Sequence, residues 1–158
     1  MVRDGGLYAR SDDSYWIDTG TPAAYLEANF DYLQHKRGPI VTPVVVDRGD
    51  GVLLQAESDL EGTVTGPSVL FSGCVVESGA RVERSILGAG TIISSGAVVS
   101  DSVLMDGCHV AADAKVAGSV MGPRSIVGQR GDVRAISVLG ADAVVSSGTL
   151  VDGERVSG

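Results

Sequence analysis

Aromatic side chains are scarce, at 4% of a 158-residue chain that is 44% hydrophobic. A globular core of that apolar content normally draws on more Phe, Tyr and Trp, so an ordinary packed core is excluded. Positive charge is also short. Twelve Lys and Arg stand against twenty Asp and Glu, for a net charge of −8, which argues against phosphate-backbone binding and hence against nucleic acid. Only two cysteines occur, Cys74 and Cys108. Both sit where a small residue is wanted, so packed free thiols are expected rather than a disulfide. No apolar run approaches membrane-spanning length, and the start of the chain has no hydrophobic leader. A cytoplasmic protein without membrane contact is the expectation.

What is abundant is Val, Ala, Ser and, at 22 residues, Gly. That mixture suits many short, closely stacked strands with tight corners. Apolar residues recur every six positions. Val64, Leu70, Val76 and Val82 hold one phase, and Ile86, Ile92, Val98, Leu104, Val110 and Val116 a second. Val120 and Ile126 open a third, which resumes as Val138, Val144, Leu150 and Val156. Two four-residue steps, Val82 to Ile86 and Val116 to Val120, separate these phases. Small residues, among them Ser68, Cys74, Ala80, Gly90, Gly96, Ser102, Cys108 and Ala114, precede most of these positions by two. Six residues supply one strand and one corner of a three-sided prism, with the aliphatic side chain inward and the small one beside the corner. The reading is all-β: a parallel β-helix of hexapeptide repeats from about Leu60, with about five coils. Resemblance to hexapeptide-repeat proteins implies left-handed crossovers, against the usual right-handed rule.

Three segments follow from this: residues 1–37, a connector at 38–59, and the repeat array at 60–158. In the first, Thr21 is a good N-cap and Pro22 suits the first helical position. Leu26, Phe30 and Leu33 form an apolar stripe flanked by Tyr25 and Tyr32. His35, Lys36 and Arg37 are expected in the last turn, and Gly38-Pro39 stop the helix. The stripe needs a partner surface that the preceding chain is too short to supply. In the connector, Val44–Val46 read as a short strand, and GDGV at 49–52, like GAG at 88–90, as a turn.

Chemistry-bearing residues are few. His35 and His109 fall short of the three imidazoles of a gamma-type carbonic anhydrase. His109, the one histidine in the array, stands before inward Val110 and should face outward, which suits a solvated side chain better than the base of a hexapeptide-repeat acyltransferase.

Residues 7–33, LYARSDDSYWIDTGTPAAYLEANFDYL, resemble the closing segment of the nucleotidyltransferase domain of sugar-1-phosphate nucleotidyltransferases, the mannose-1-phosphate guanylyltransferase branch above all. The run Tyr15-Trp16-Ile17-Asp18-Thr19-Gly20-Thr21-Pro22 and the helix after it carry the likeness, and a connector and β-helix follow as in that family. The resemblance implies transfer of a nucleotidyl group to a sugar-1-phosphate, making GDP-mannose and pyrophosphate with Mg²⁺ held by two carboxylates. Asp18 would be one of them, Trp16 would pack beneath the site, and Gly20 would allow the sharp turn. Asp18 as a turn cap is the competing reading. The family's Gly-rich nucleotide loop, its first metal carboxylate and its sugar-phosphate lysine have no counterpart here. The chain therefore reads as the C-terminal part of such an enzyme, inactive alone and completed by an N-terminal nucleotidyltransferase domain. Its β-helix would serve homo-oligomeric assembly or regulation. A non-catalytic oligomerisation module, its helix stripe docked on the side of the β-helix or on another subunit, is the alternative, and an acyltransferase using His109 a weaker one.

Overall fold

Apolar residues in the array come mostly as doublets, such as Ile86-Leu87, Ile92-Ile93 and Val98-Val99, and a strand can bury only one member of each. The structure, a computed structural model, describes residues 10–11, 14–34, 36, 45–55 and 58–158. Three sheets form the sides of a prism, two of six parallel strands and one of eight whose first strand alone is antiparallel. Face one begins with Val52–Gln55 and runs through Ser68–Leu70, Ile86–Leu87, Val103–Leu104, Val120–Met121 and Val138–Leu139 to Arg155–Val156. Face two runs from Asp59–Leu60 to Val144–Val145, and face three from Thr63–Thr65 to Leu150–Asp152. The result is the expected left-handed parallel β-helix of hexapeptide repeats, with about six turns rather than five. Val52–Gln55 pairs in parallel with Ser68–Leu70, so the first turn draws on residues that the sequence pattern assigned to the connector.

The inward columns correct the phase. On face one they are Leu70, Leu87, Leu104, Met121 and Leu139; on face two Val76, Ile93, Val110, Val127 and Val145; on face three Val82, Val99, Val116, Val133 and Val151. Ile86, Ile92, Val98, Val120, Ile126, Val138, Val144 and Leu150, expected inside, lie outside. Successive rungs such as Leu87, Leu104 and Met121 are seventeen residues apart. A central turn is therefore two hexads and one shortened step, the latter falling at Val82–Leu87, Val99–Leu104 and Val116–Met121, while Met121 to Leu139 spans a full eighteen. The doublets disguised these three five-residue steps as two four-residue ones.

The small residues sit two before each inward one, as anticipated, once the phase is right: Thr91 and Ala97 take the places given to Gly90 and Gly96. Gly90 and Gly96 instead turn the chain at φ +66 and +71. The corner before face one is a serine column. Ser85, Ser102 and Ser119 each donate a backbone N–H to the hydroxyl of the serine one turn earlier, at 3.2, 3.2 and 3.1 Å. Their own hydroxyls donate to the carbonyls of Glu83, Ser100 and Ala117. These buried polar atoms are thus satisfied where the corner is too tight for a larger side chain.

The corner before face two stacks Cys74, Thr91, Cys108 and Ser125. Thr91 separates the thiols by two rungs of about 4.8 Å, beyond the roughly 7 Å limit for bridged Cα atoms. Both cysteines are free and fully buried, and burial pushes the Cys74 thiol up to about 11 and the Cys108 thiol up as well. Because the thiolate is the nucleophile, neither should react with iodoacetamide at pH 8 in the native chain, and both should in 6 M guanidinium. Mass spectrometry reads the difference, and rapid native labelling would contradict the packing.

Helix α1, Pro22–Leu33, starts as expected, with Thr21 Oγ1 accepting from the Ala24 N–H at 3.2 Å and Pro22 in its first turn. It stops earlier than the basic residues suggested. No cation lies in its last turn, and Lys36 lies beyond it, pairing with Asp31 at 2.5 Å. His35, Arg37, Gly38 and Pro39 lie outside the described residues, as do residues 7–9. The stripe finds its partner within the chain. Leu26 packs with Val103 and Val120, flanked by Tyr25, Phe30, Ile86, Met105 and Val138. Those outward residues of face one form an apolar ladder, and α1 lies across it. Val45–Asp47 closes the top of face one as an antiparallel hairpin with Val52–Gln55, turning through Gly49 and Gly51 at φ +82 and +79.

Candidate functional site

Where α1 lies on face one, a groove of about 630 Å³ opens between them. Tyr25, Asn29 and Tyr32 of the helix and Phe71, Ile86 and Met105 of the solenoid contribute to its walls. Asp106 brings a carboxylate to the rim, but its Oδ1 already accepts the Ala89 N–H at 2.8 Å. The Asn29 amide is committed to the Tyr25 carbonyl at 2.8 Å. The groove holds no nucleophile–base pair and no cluster of charges. It can bind or dock, and its residues offer nothing to transfer a group.

The Asp18 turn lies at the N-terminal end of the same helix. Thr19, Gly20, Thr21 and Pro22 line a shallow depression with Met105, Val120 and Val138, so the docked helix fixes the turn against face one. Asp18 is exposed, and its Oδ1 accepts the Gly20 N–H at 3.0 Å. A Cβ at Gly20 would lie 3.3 Å from Asp18 Oδ1, a contact the exposed carboxylate can relieve by moving a few tenths of an ångström, and Gly20 is not among the glycines at positive φ. Among the described residues no three His, Cys, Asp or Glu gather as a metal site. Asp18 is therefore a lone carboxylate with one oxygen engaged in its own turn, and these residues by themselves do not fit Mg²⁺, a hard cation that needs several oxygens. Trp16 departs from expectation. It is 81% exposed, because no surface among the described residues covers it. Tyr15 donates its hydroxyl to Asp31 Oδ2 at 2.5 Å, which ties the approach to the turn back onto the helix.

His109 faces outward from face two, half-buried, with Nε2 3.0 Å from Ser94 Oγ. No carboxylate orients the ring among the described residues, and no loop overhangs it. A base for acyl transfer lacks its supporting group here.

These observations separate a repeat scaffold from a turn-and-helix segment anchored on it. The GMPPB C-terminal domain family matches residues 64–158, all but the first turn of the solenoid.

The chain belongs to the GMPPB C-terminal domain family.

A relative extends the likeness upstream. The family member is 30% identical over 152 residues, 89% of its length, to mannose-1-phosphate guanylyltransferase 1 of Arabidopsis thaliana, and spans 36% of that protein. It thus corresponds to the C-terminal region of a mannose-1-phosphate guanylyltransferase. The fold recurs in two solved structures of the Caulobacter crescentus perosamine N-acetyltransferase with CoA and GDP-perosamine, each carrying a substitution of one histidine. The histidine-to-asparagine mutant matches at a TM-score of 0.54 and 26% identity, over 66% of this chain and 50% of that one. The histidine-to-alanine mutant matches at 0.52 and 26%, over 68% and 53%.

Of the two docking places open to the helix stripe, the side of the β-helix is the one found, and what residue reasoning did not single out is the surface that receives it. Its signal was present in the sequence: Val69, Ile86, Val103 and Val120 recur every seventeen residues, one turn apart, just before the inward column of face one.

Proposed function

We propose that this chain is the assembly and regulatory region of a cytoplasmic enzyme that makes GDP-mannose and pyrophosphate from GTP and mannose-1-phosphate. The nucleotide chemistry would belong to an N-terminal nucleotidyltransferase domain, the part of the relative's length that this chain does not span. The observation that carries the reading is the docking of α1 on face one. It joins the segment bearing the family-like Trp16–Pro22 run to the solenoid, so the Asp18 turn and the repeat scaffold move as one unit. In the intact enzyme Asp18 would add its carboxylate to a second one from the N-terminal domain, and the pair would hold Mg²⁺ to offset phosphate charge. Strain or contact at the solenoid would reach the turn through the helix.

The test is reconstitution. The purified 158-residue chain should give no pyrophosphate from GTP and mannose-1-phosphate, while addition of the N-terminal domain should restore turnover. Asp18→Asn should then lower kcat by at least a hundredfold while α1 stays docked, as judged by near-UV circular dichroism. Turnover by the chain alone would sink the proposal. The likeness to N-acetyltransferases favours a second reading, acyl transfer by His109, which requires saturable acetyl-CoA binding that His109→Ala abolishes.

A further inference from the structure

Leu26 and Phe30 of α1 pack on face one and stand about 40° apart round the helix, whereas Asp31 stands about 140° from Leu26, outside that stripe. It is nonetheless only 8% exposed, the one buried charged residue among the described residues. A carboxylate taken out of water costs free energy unless it is paired and hydrogen-bonded. Asp31 is both. Tyr15 donates its hydroxyl to Oδ2 at 2.5 Å. Lys36 donates its ammonium to Oδ1 at 2.5 Å and its backbone N–H to the Asp31 carbonyl at 3.0 Å. The chain entering the Asp18 turn, the helix after it and the chain leaving that helix thus meet at one residue.

The geometry points to Asp31 as the positioning residue of the Asp18 turn. Thr21 fixes the far end of the turn to the Ala24 N–H in the first turn of α1. Tyr15 fixes the near end to Asp31, about 10 Å further along the same helix. Asp18 lies midway between the two clamps in the sequence. A loop held at both ends on one rigid element has few positions open to it, which is what the aiming of a reacting group requires. Lys36 keeps the buried carboxylate charged, so the acceptor offered to the Tyr15 hydroxyl is an ionised and therefore strong one. With the Tyr15 clamp released, the turn would pivot on Thr21 alone, and Asp18 and Trp16 would swing with it.

The inference rests on the proposed reading of Asp18 as a carboxylate supplied to nucleotidyl transfer, and names the group that aims it. A displacement of about 1 Å at a reacting group can cost about a hundredfold in rate. Removing the Tyr15 hydroxyl is the smallest change that would permit one.

Trp16, the single tryptophan of the chain, sits beside Tyr15 and reports the clamp in the full chain. Time-resolved fluorescence anisotropy should show the amplitude of its nanosecond motion about doubled in Tyr15→Phe and in Asp31→Leu, with unchanged far-UV circular dichroism. The double variant Y15F/D31L should move no more than Asp31→Leu, because both changes remove the same bond. With the N-terminal domain added back, Tyr15→Phe should lower kcat by about tenfold and leave both KM values within about twofold. In an Asp18→Asn background it should lower kcat no further, since the group it aims is gone. Unchanged Trp16 motion in Tyr15→Phe, or additive effects in the double variant, overturns the clamp. A loosened Trp16 with kcat intact, or a full loss that persists beside Asp18→Asn, overturns the positioning role. Turnover indifferent to Asp18→Asn overturns instead the reading of Asp18, while the anisotropy still decides the clamp.

Discussion

Leu104→Ala is expected to destabilise the chain by about 3–5 kcal/mol, the upper part of the range for truncating a buried leucine. Leu104 is 1% exposed and stacks between Leu87 and Met121 at the centre of the solenoid. Face one supplies longer side chains that are not branched at Cβ to the prism axis, while faces two and three supply mostly valine. Those β-branched neighbours have little rotamer freedom with which to fill the void. A solenoid's stability is close to a sum of contacts between adjacent turns, so a defect at mid-height also weakens communication between its two halves. Urea denaturation should show a lower midpoint and a broader transition. Leu150→Ala serves as the control, since Leu150 is outward and 51% exposed; a change within about 0.5 kcal/mol is expected there. Equal effects at the two sites would mean that the inward columns are wrongly assigned.

Gly122→Ala should be comparably damaging for the opposite reason, crowding rather than a void. A Cβ at Gly122 would lie 2.7 Å from the Gly140 carbonyl carbon and 2.8 Å from both the Ala141 nitrogen and the Leu139 oxygen. All three are backbone atoms of the next turn, so no side chain can swing aside. The turns would have to separate locally, and the Gly122 N–H bond to the Leu139 carbonyl, at 2.8 Å, would lengthen. A loss of about 3 kcal/mol, the top of the usual overpacking range, is expected. One rung on in the same column, Gly140→Ala should cost under about 1 kcal/mol, because its Cβ would meet nothing closer than 3.4 Å. Thermal melts of the two variants side by side check the contrast, and similar melting temperatures would refute it.

The six-residue beat, the small corner residues and the buried thiols were legible because each reflects a local rule that every turn obeys. The phase was not. In Ile92-Ile93 or Val144-Val145 both members are equally apolar, and only the pairing of neighbouring turns decides which one enters the core. The surface that receives the helix was hidden for a related reason. The stripe of Leu26, Phe30 and Leu33 was plain, but the surface that receives it is assembled from residues a full turn apart, a period longer than the hexad. Asp18 stood out through its surrounding motif rather than its own chemistry, and its hydrogen bond to Gly20 accounts for the turn without any metal. Trp16 was expected beneath a site, yet among the described residues no such surface reaches it.

The seventeen-residue turn of the central coils makes the length of this scaffold a counted quantity. Through its central turns, removing or inserting seventeen residues changes the height by one strand spacing, about 4.8 Å, and keeps the corner serines and the inward columns in register. Other lengths are absorbed at the corners: Leu54 to Leu70 spans sixteen residues and Met121 to Leu139 eighteen, with the inward residues still paired. Height can therefore change only in whole steps, and the chain behaves as a ruler whose unit is written into its shortest corner.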